Sequence, residues 1–254
     1  MQTKIRVGAV SYLNTKPLIY GFRHGMMTDS VDLKIDFPSR IASMLLDNEI
    51  DVGLVPVAII PEMQEYHIIS DYCISCDGAV ASVCLFSEVP LNEIEKILLD
   101  YQSRTSVELL KILVKDFWKM NPAFENTSGE YQSGIKGTTG ALLIGDRALA
   151  QRKKSGYIFD LGLEWKKFTG LPFVFAAWIS NKKLDENFIK SFNEANANGL
   201  RNLEAVIIEN QESEFNLSHY YNDCINFKLD DKKRNAMKLF LGKVVKRDSV
   251  SLNF

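Results

Sequence analysis

Residues 96–118 read KILLDYQSRTSVELLKILVKDFW, and the change of period inside this stretch decides the fold class. Ile97-Leu98-Leu99 is a short apolar run that fits a buried parallel strand. A polar loop follows, then Ser103-Arg104-Thr105-Ser106. Beyond it Leu110, Leu113, Val114 and Phe117 share one helical face, with Glu108, Lys111 and Lys115 off it. Ser103 or Thr105 makes a good N-cap. Free backbone N–H groups, hydroxyls and a guanidinium then gather where the helix begins, an arrangement suited to a carboxylate or phosphate. Plain capping, with Arg104 as a solvated charge, accounts for the same residues.

The pattern extends outward from this unit in both directions. Toward the N-terminus, KIRVGAV (4–10) reads as a first strand, and its loop places Ser11, Tyr12 and Asn14 just past the strand's carboxyl end. Capping and turn chemistry is the plainer role for Ser11 and Asn14. Pro17 suits the first turn of a helix toward Met26. Leu33–Phe37 alternates as a strand, Pro38-Ser39 opens a helix, and DVGLVP (51–56) is a buried strand stopped by Pro56. A helix over Ile59–Glu65 and an extended run, AVASVCLFS (79–87), complete this part. Toward the C-terminus, Leu142–Ile144 reads as a strand ending in Gly145-Asp146, then a helix over Arg147–Lys154 and a strand at Tyr157–Phe159. Between them, 126–140 reads as a flexible Gly/Ser/Thr-rich loop. Asp185 and Asp230-Asp231 each start a long helix.

Alternating strands and helices imply right-handed βαβ units and parallel sheets. Two such α/β units, with long extended runs at 79–87 and 173–180, suggest two lobes joined by a pair of hinge strands. Lobe 1 would hold 1–87 and 177–254, lobe 2 would hold 88–176, and a ligand would lie in the cleft between them. By analogy this is the type 2 periplasmic-binding-protein architecture.

Composition narrows the function classes. A net charge of −2 with no long basic run excludes a general nucleic-acid binder. No apolar stretch approaches the roughly 20 residues that span a bilayer, and MQTKIRVGAVSYLN lacks a signal peptide's apolar core, so a cytoplasmic location is expected. Cys73 and Cys76 form a C-x-x-C, but a redox pair belongs at a helix start and a zinc site needs a second ligand pair. Cys84, Cys224 and the three histidines are scattered, so the cysteines read as buried thiols and no metal site is expected.

Six motifs taken together resemble the menaquinone-biosynthesis family that includes chorismate dehydratase. They are GAVSYLNTKPL, DVGLVP, the DG-V-SV-LFS pattern of 77–87, LD-QSRTSVELL, LIGDRAL and DLGLEWKKFTGLPFVFAAW, in that order over residues 5–178. The C-terminal remainder carries no distinctive motif, and CISC (73–76) is not part of the pattern. The resemblance implies a cytoplasmic enzyme on the type 2 binding-protein fold, removing water from chorismate to give 3-[(1-carboxyvinyl)oxy]benzoate. That reaction requires no metal, redox cofactor or covalent nucleophile. Ser103, Arg104, Thr105 and Ser106 would hold one carboxylate. Asn14 and Ser11 would act on the departing hydroxyl or the ring, with Tyr12, Ser82, Gly145 and Asp146 also contacting substrate. No general base stands out, so the substrate's own enolpyruvyl carboxylate is the expected proton acceptor. Two alternatives stay open: the later dihydroxynaphthoate-forming enzyme of the same family, and a non-catalytic carboxylate-binding protein. Oligomeric state is not readable.

Overall fold

The computed structural model of the chain describes residues 4–211 and 215–251, with side chains as far as 247. Its strands are β1 (Ile5–Val10), β2 (Val31–Asp36), β3 (Val52–Pro56), β4 (His67–Cys76), β5 (Val83–Ser87) and β6 (Lys96–Leu99). They continue with β7 (Ala123–Asn126), β8 (Thr139–Ile144), β9 (Tyr157–Asp160), β10 (Phe173–Ser180) and β11 (Asn226–Lys228). Two sheets result, one in the order β11-β4-β10-β3-β1-β2, the other β7-β6-β8-β5-β9.

The central pairs β1–β2, β1–β3, β6–β7 and β6–β8 are parallel, as alternating strands and helices require. The sheets are nonetheless mixed, not parallel throughout. β10 runs antiparallel to β3 and β4, and β5 antiparallel to β8 and β9. The chain leaves the first sheet by β4 and re-enters by β10, so these strands cannot all point one way. It crosses between the sheets twice, over residues 77–82 and 161–172.

Residues 96–118 fold as their period dictates, into β6 and the helix Arg104–Ile112, which widens into a π-turn at Leu113–Phe117. Leu109 and Ile112 are buried along with Leu110, Leu113 and Val114, because this helix meets neighbours on several sides. The segment after β3 departs from expectation. It is a 3-10 turn, Val57–Glu62, because Pro61 supplies no N–H and cannot sustain an α-helical ladder. The loop expected over 126–140 holds the end of β7 and a 3-10 turn at Gln132–Gly134, with Tyr131 buried. β7 is an exposed edge strand without apolar alternation, so its sequence gives no strand signal. CISC lies inside β4, its thiols buried. Burial pushes the Cys73 thiol up to about 12 and Cys76 higher still, which suits inert packing groups.

One apolar core runs through both sheets, and a smaller one around Cys84, Phe86 and Leu143 covers part of the second. Trp165, Phe173 and Phe240 meet edge-on at centroid distances of 5.3 Å (Trp165–Phe173) and 5.0 Å (Phe173–Phe240). The C-terminal helix Asp231–Ser251, which supplies Phe240, thereby closes over β10 and the helix Leu161–Thr169. Among the described residues no helix is long and apolar enough to cross a membrane.

Candidate functional site

The cleft lies where the carboxyl ends of parallel strands from both sheets converge. Tyr12 and Asn14 follow β1, Pro56 ends β3, Ser103 and Ser106 follow β6, and Ile144-Gly145 ends β8 and opens the next helix. Val80 and Ser82 line it from the first crossing and Val83 from the start of β5, and Ile74, Phe175 and Ala176 form its floor. About 490 Å³ is free of protein atoms, but the centre of a water molecule reaches only about 50 Å³ of that space. The walls are drawn together.

Ser103 caps the helix Arg104–Ile112. Its Oγ accepts from the Ser106 N–H at 3.1 Å and donates to the Ser106 Oγ at 2.8 Å, which leaves both hydroxyls at the cleft and at the helix's positive end. The two residues between them face elsewhere. Thr105 is buried, its Oγ1 accepting from the Ala58 N–H at 3.1 Å, and Arg104 pairs with Glu62. A helix cannot present consecutive residues on one face.

Asn14 sits inside the 3-10 turn Leu13–Thr15 and caps nothing. The following helix, Lys16–Arg23, has Thr15 at its N-cap with no side-chain bond. The Asn14 Oδ1 accepts from Thr15 Oγ1 at 3.3 Å, and its amide borders the cleft. Tyr12 crosses from the first sheet to the second, where its hydroxyl donates to Gln102 Oε1. Burial raises the Tyr12 phenol to about 12 despite the nearby Arg147 charge, so it stays protonated. Its ring lies against Gly145, where φ is +59° and any side chain would strike the ring.

Ser11 and Asp146 are not brought into this cleft. Together with Lys16 they line an adjoining open pocket, in which the centre of a water molecule reaches about 460 Å³. Asp146 accepts the Leu13 N–H at 3.1 Å, and burial lifts its carboxyl above the usual range, opposed by that bond and by Lys16.

A buried ionic cluster behind Tyr12 gave no sequence signal. Asp100, whose side chain is fully buried, accepts from Arg147 Nη2 at 3.0 and 2.8 Å and from the Tyr131 hydroxyl at 2.7 Å. Arg147 also donates to Gln102 Oε1 at 2.8 Å, so it helps fix the acceptor that Tyr12 uses. The motifs LD-Q and LIGDRAL contain Asp100, Gln102 and Arg147, yet nothing in their spacing shows that they meet, and Tyr131 lies outside both. Asp160 is a second such tie. It caps the helix Leu161–Thr169 through the Gly162 and Leu163 N–H groups and also collects the Val80 and Ala81 N–H groups, joining the two crossings. Ser82, next in the chain, lines the cleft with its side chain buried. Tyr220 and Tyr221 reach the site from the C-terminal part, to Ser82 Oγ and to the Leu13 carbonyl.

Two α/β sheets linked by two crossings, with a cleft at their strand ends, define a periplasmic-binding-protein-like protein. The chain superposes on protein AF1704 from Archaeoglobus fulgidus with a TM-score of 0.75 at 13% identity, covering 97% of this chain and 98% of that one. For the periplasmic aliphatic sulphonate binding protein SsuA from Escherichia coli the TM-score is 0.63 at 11% identity, over 98% and 88%. Within this class the chain belongs to the menaquinone-biosynthesis family, which it matches over residues 5–246. It is 28% identical to a protein of Thermus thermophilus named chorismate dehydratase, over 79% of each chain. A protein of the same name from Campylobacter jejuni is 26% identical, over 91% of this chain and 89% of that one.

Proposed function

We propose that the chain is a hydro-lyase that converts chorismate to 3-[(1-carboxyvinyl)oxy]benzoate and water. Two relatives of that name and the family match support the substrate and the pathway. The observation that carries the mechanism is the cleft's lining, which among the described residues contains no Asp, Glu, His, Lys, Arg or Cys. Its polar groups are Tyr12, Asn14, Ser82, Ser103 and Ser106. Such a site holds anions with neutral donors and a helix terminus and offers no base of its own.

The elimination suits those means. The C3–H bond breaks, its electron pair forms the last ring double bond, and the C4–O bond breaks as the ring becomes aromatic. The substrate's enolpyruvyl carboxylate takes the C3 proton and passes it to the departing C4 oxygen, which leaves as water. The Ser106 hydroxyl, whose oxygen accepts from Ser103, donates to a carboxylate at the helix terminus, and the Asn14 amide donates to the C4 oxygen as it gains charge. Entry requires the walls to part, which breaks a few polar ties such as Tyr12–Gln102 and Leu13–Asp146.

Incubating the purified chain with chorismate and identifying products by nuclear magnetic resonance tests the reading. Formation of the 3-substituted benzoate supports it. Chorismate bound but unchanged would make the chain a carboxylate binder, and chorismate ignored would favour the later dihydroxynaphthoate-forming step.

A further inference from the structure

We propose that the π-turn Tyr220–Cys224 is a working part of the cleft, with Tyr220 a positioning residue that holds the Ser82 hydroxyl as a donor toward a substrate oxygen. The inference rests on the dehydratase reading above and assigns a role to the C-terminal part of the chain, where no motif points to one.

A π-turn is a rare element that occurs mostly as a single widened turn, frequently at functional sites. Here YYNDC forms one directly after the short helix Leu217–His219. Tyr220 is wholly buried, packed by Phe215 at 5.8 Å and Tyr221 at 5.6 Å between ring centroids. A buried phenol needs an acceptor, and this one donates to Ser82 Oγ at 2.6 Å across 138 residues of sequence. Burial also raises the Tyr220 phenol well above its usual range, so it remains the donor of that pair.

The consequence falls on Ser82. A serine hydroxyl has one proton to give and two lone pairs to offer. Tyr220 occupies a lone pair. The protein acceptor for the Ser82 proton is the Val80 carbonyl at 3.5 Å, the outer limit of a hydrogen bond. A substrate oxygen in the cleft that Ser82 lines is the better acceptor. Donation by Tyr220 also polarises the Ser82 O–H and strengthens the bond it gives. The backbone beneath is fixed, since Val80 and Ala81 are held by Asp160, and Ala81 takes a left-handed φ of +63°. Only the hydroxyl rotor is left to set, and Tyr220 sets it. The same turn steadies the opposite wall, where the Tyr221 hydroxyl donates to the Leu13 carbonyl at 2.9 Å, beside Asn14.

The test is a double-mutant cycle on Tyr220→Phe, Ser82→Ala and the pair. If Tyr220 acts through Ser82, each single variant lowers kcat for chorismate by about tenfold with KM changed less than about threefold, and the pair is no worse than Ser82→Ala alone. Multiplying losses in the pair would make Tyr220 a packing residue and overturn the proposal. Should Tyr220→Phe fail to fold, 3-fluorotyrosine at 220 replaces it. A kcat altered only when Ser82 is present supports the role, and an unaltered kcat overturns it. The cycle is repeated on Kd for 3-[(1-carboxyvinyl)oxy]benzoate. A wild-type chain that binds this compound without turning over chorismate removes the dehydratase reading, and coupling in Kd then still supports Tyr220 while additivity refutes it. Binding of neither compound overturns both.

Discussion

Arg104 turns its guanidinium to Glu62, Nη1 lying 2.9 and 2.8 Å from the two carboxylate oxygens, while the residues on either side of its turn, Ser103 and Ser106, line the cleft. Of the residues first expected to hold a carboxylate, the one with a charge is directed at a surface acid. Side-chain exposures of 35% and 53% make this a pair worth no more than about 1 kcal/mol. Arg104→Ala should therefore shift the urea midpoint little and change kcat/KM for chorismate by less than about threefold. A loss of about 10- to 100-fold would mean that the guanidinium leaves Glu62 for the substrate.

Asn14 gives the opposite expectation. It caps no helix and borders the cleft, so Asn14→Ala should leave the melting temperature nearly unchanged. Removing one preorganised donor from a developing charge lowers turnover by about 10²–10³-fold. A variant that melts early but turns over normally would return Asn14 to a structural role.

Asp51 sets an acid limit on the first sheet. Burial alone would raise its carboxyl, but hydrogen bonds from Arg6 at 3.1 and 2.8 Å and from Lys182 at 2.8 Å outweigh that and hold it well below the usual range. A depressed folded-state value contributes stability that is complete above the unfolded value, near about 4, and disappears as pH falls below it. Asp51→Asn should cost about 1–3 kcal/mol at neutral pH, and the gap from wild type should close on acidification. Denaturant curves over that range check it, and a gap that widens in acid contradicts it.

The Asp100–Arg147 pair is buried at its acidic end, where the Asp100 side chain has no exposure. Arg147→Met leaves that carboxylate without its cation and should cost about 3–5 kcal/mol. Adding Asp100→Asn should recover part of the loss, since the uncompensated charge is then gone. A single-variant loss below about 1 kcal/mol would show that Tyr131 and the backbone suffice.

Much of this was legible in the sequence because it is local. The change of period at Ser103, the cap, and the loop after β1 all follow from residues within a few positions of one another. The two-sheet layout followed from the succession of such units. What stayed hidden is what depends on distant partners. Arg104 faces Glu62 from 42 residues away, Asp100 meets Arg147 across 47, and Tyr220 finds Ser82 across 138. β7 and β11 carry no strand signal of their own, because edge strands this short are defined by the neighbour they pair with. The pocket shared by Ser11 and Asp146 was invisible for the same reason, since loop residues one or two apart can face different cavities.

The central claim is that this cleft dehydrates chorismate without a protein base, and the dependence of kcat on pH tests it most directly. The one titratable group among the described lining residues is Tyr12, whose phenol lies at about 12. Substrate carboxylates ionise near about 4, so aromatic product should form at a kcat that is flat from about pH 6 to about pH 9. No aromatic product, or a kcat that rises or falls on a group titrating inside that range, would contradict the account.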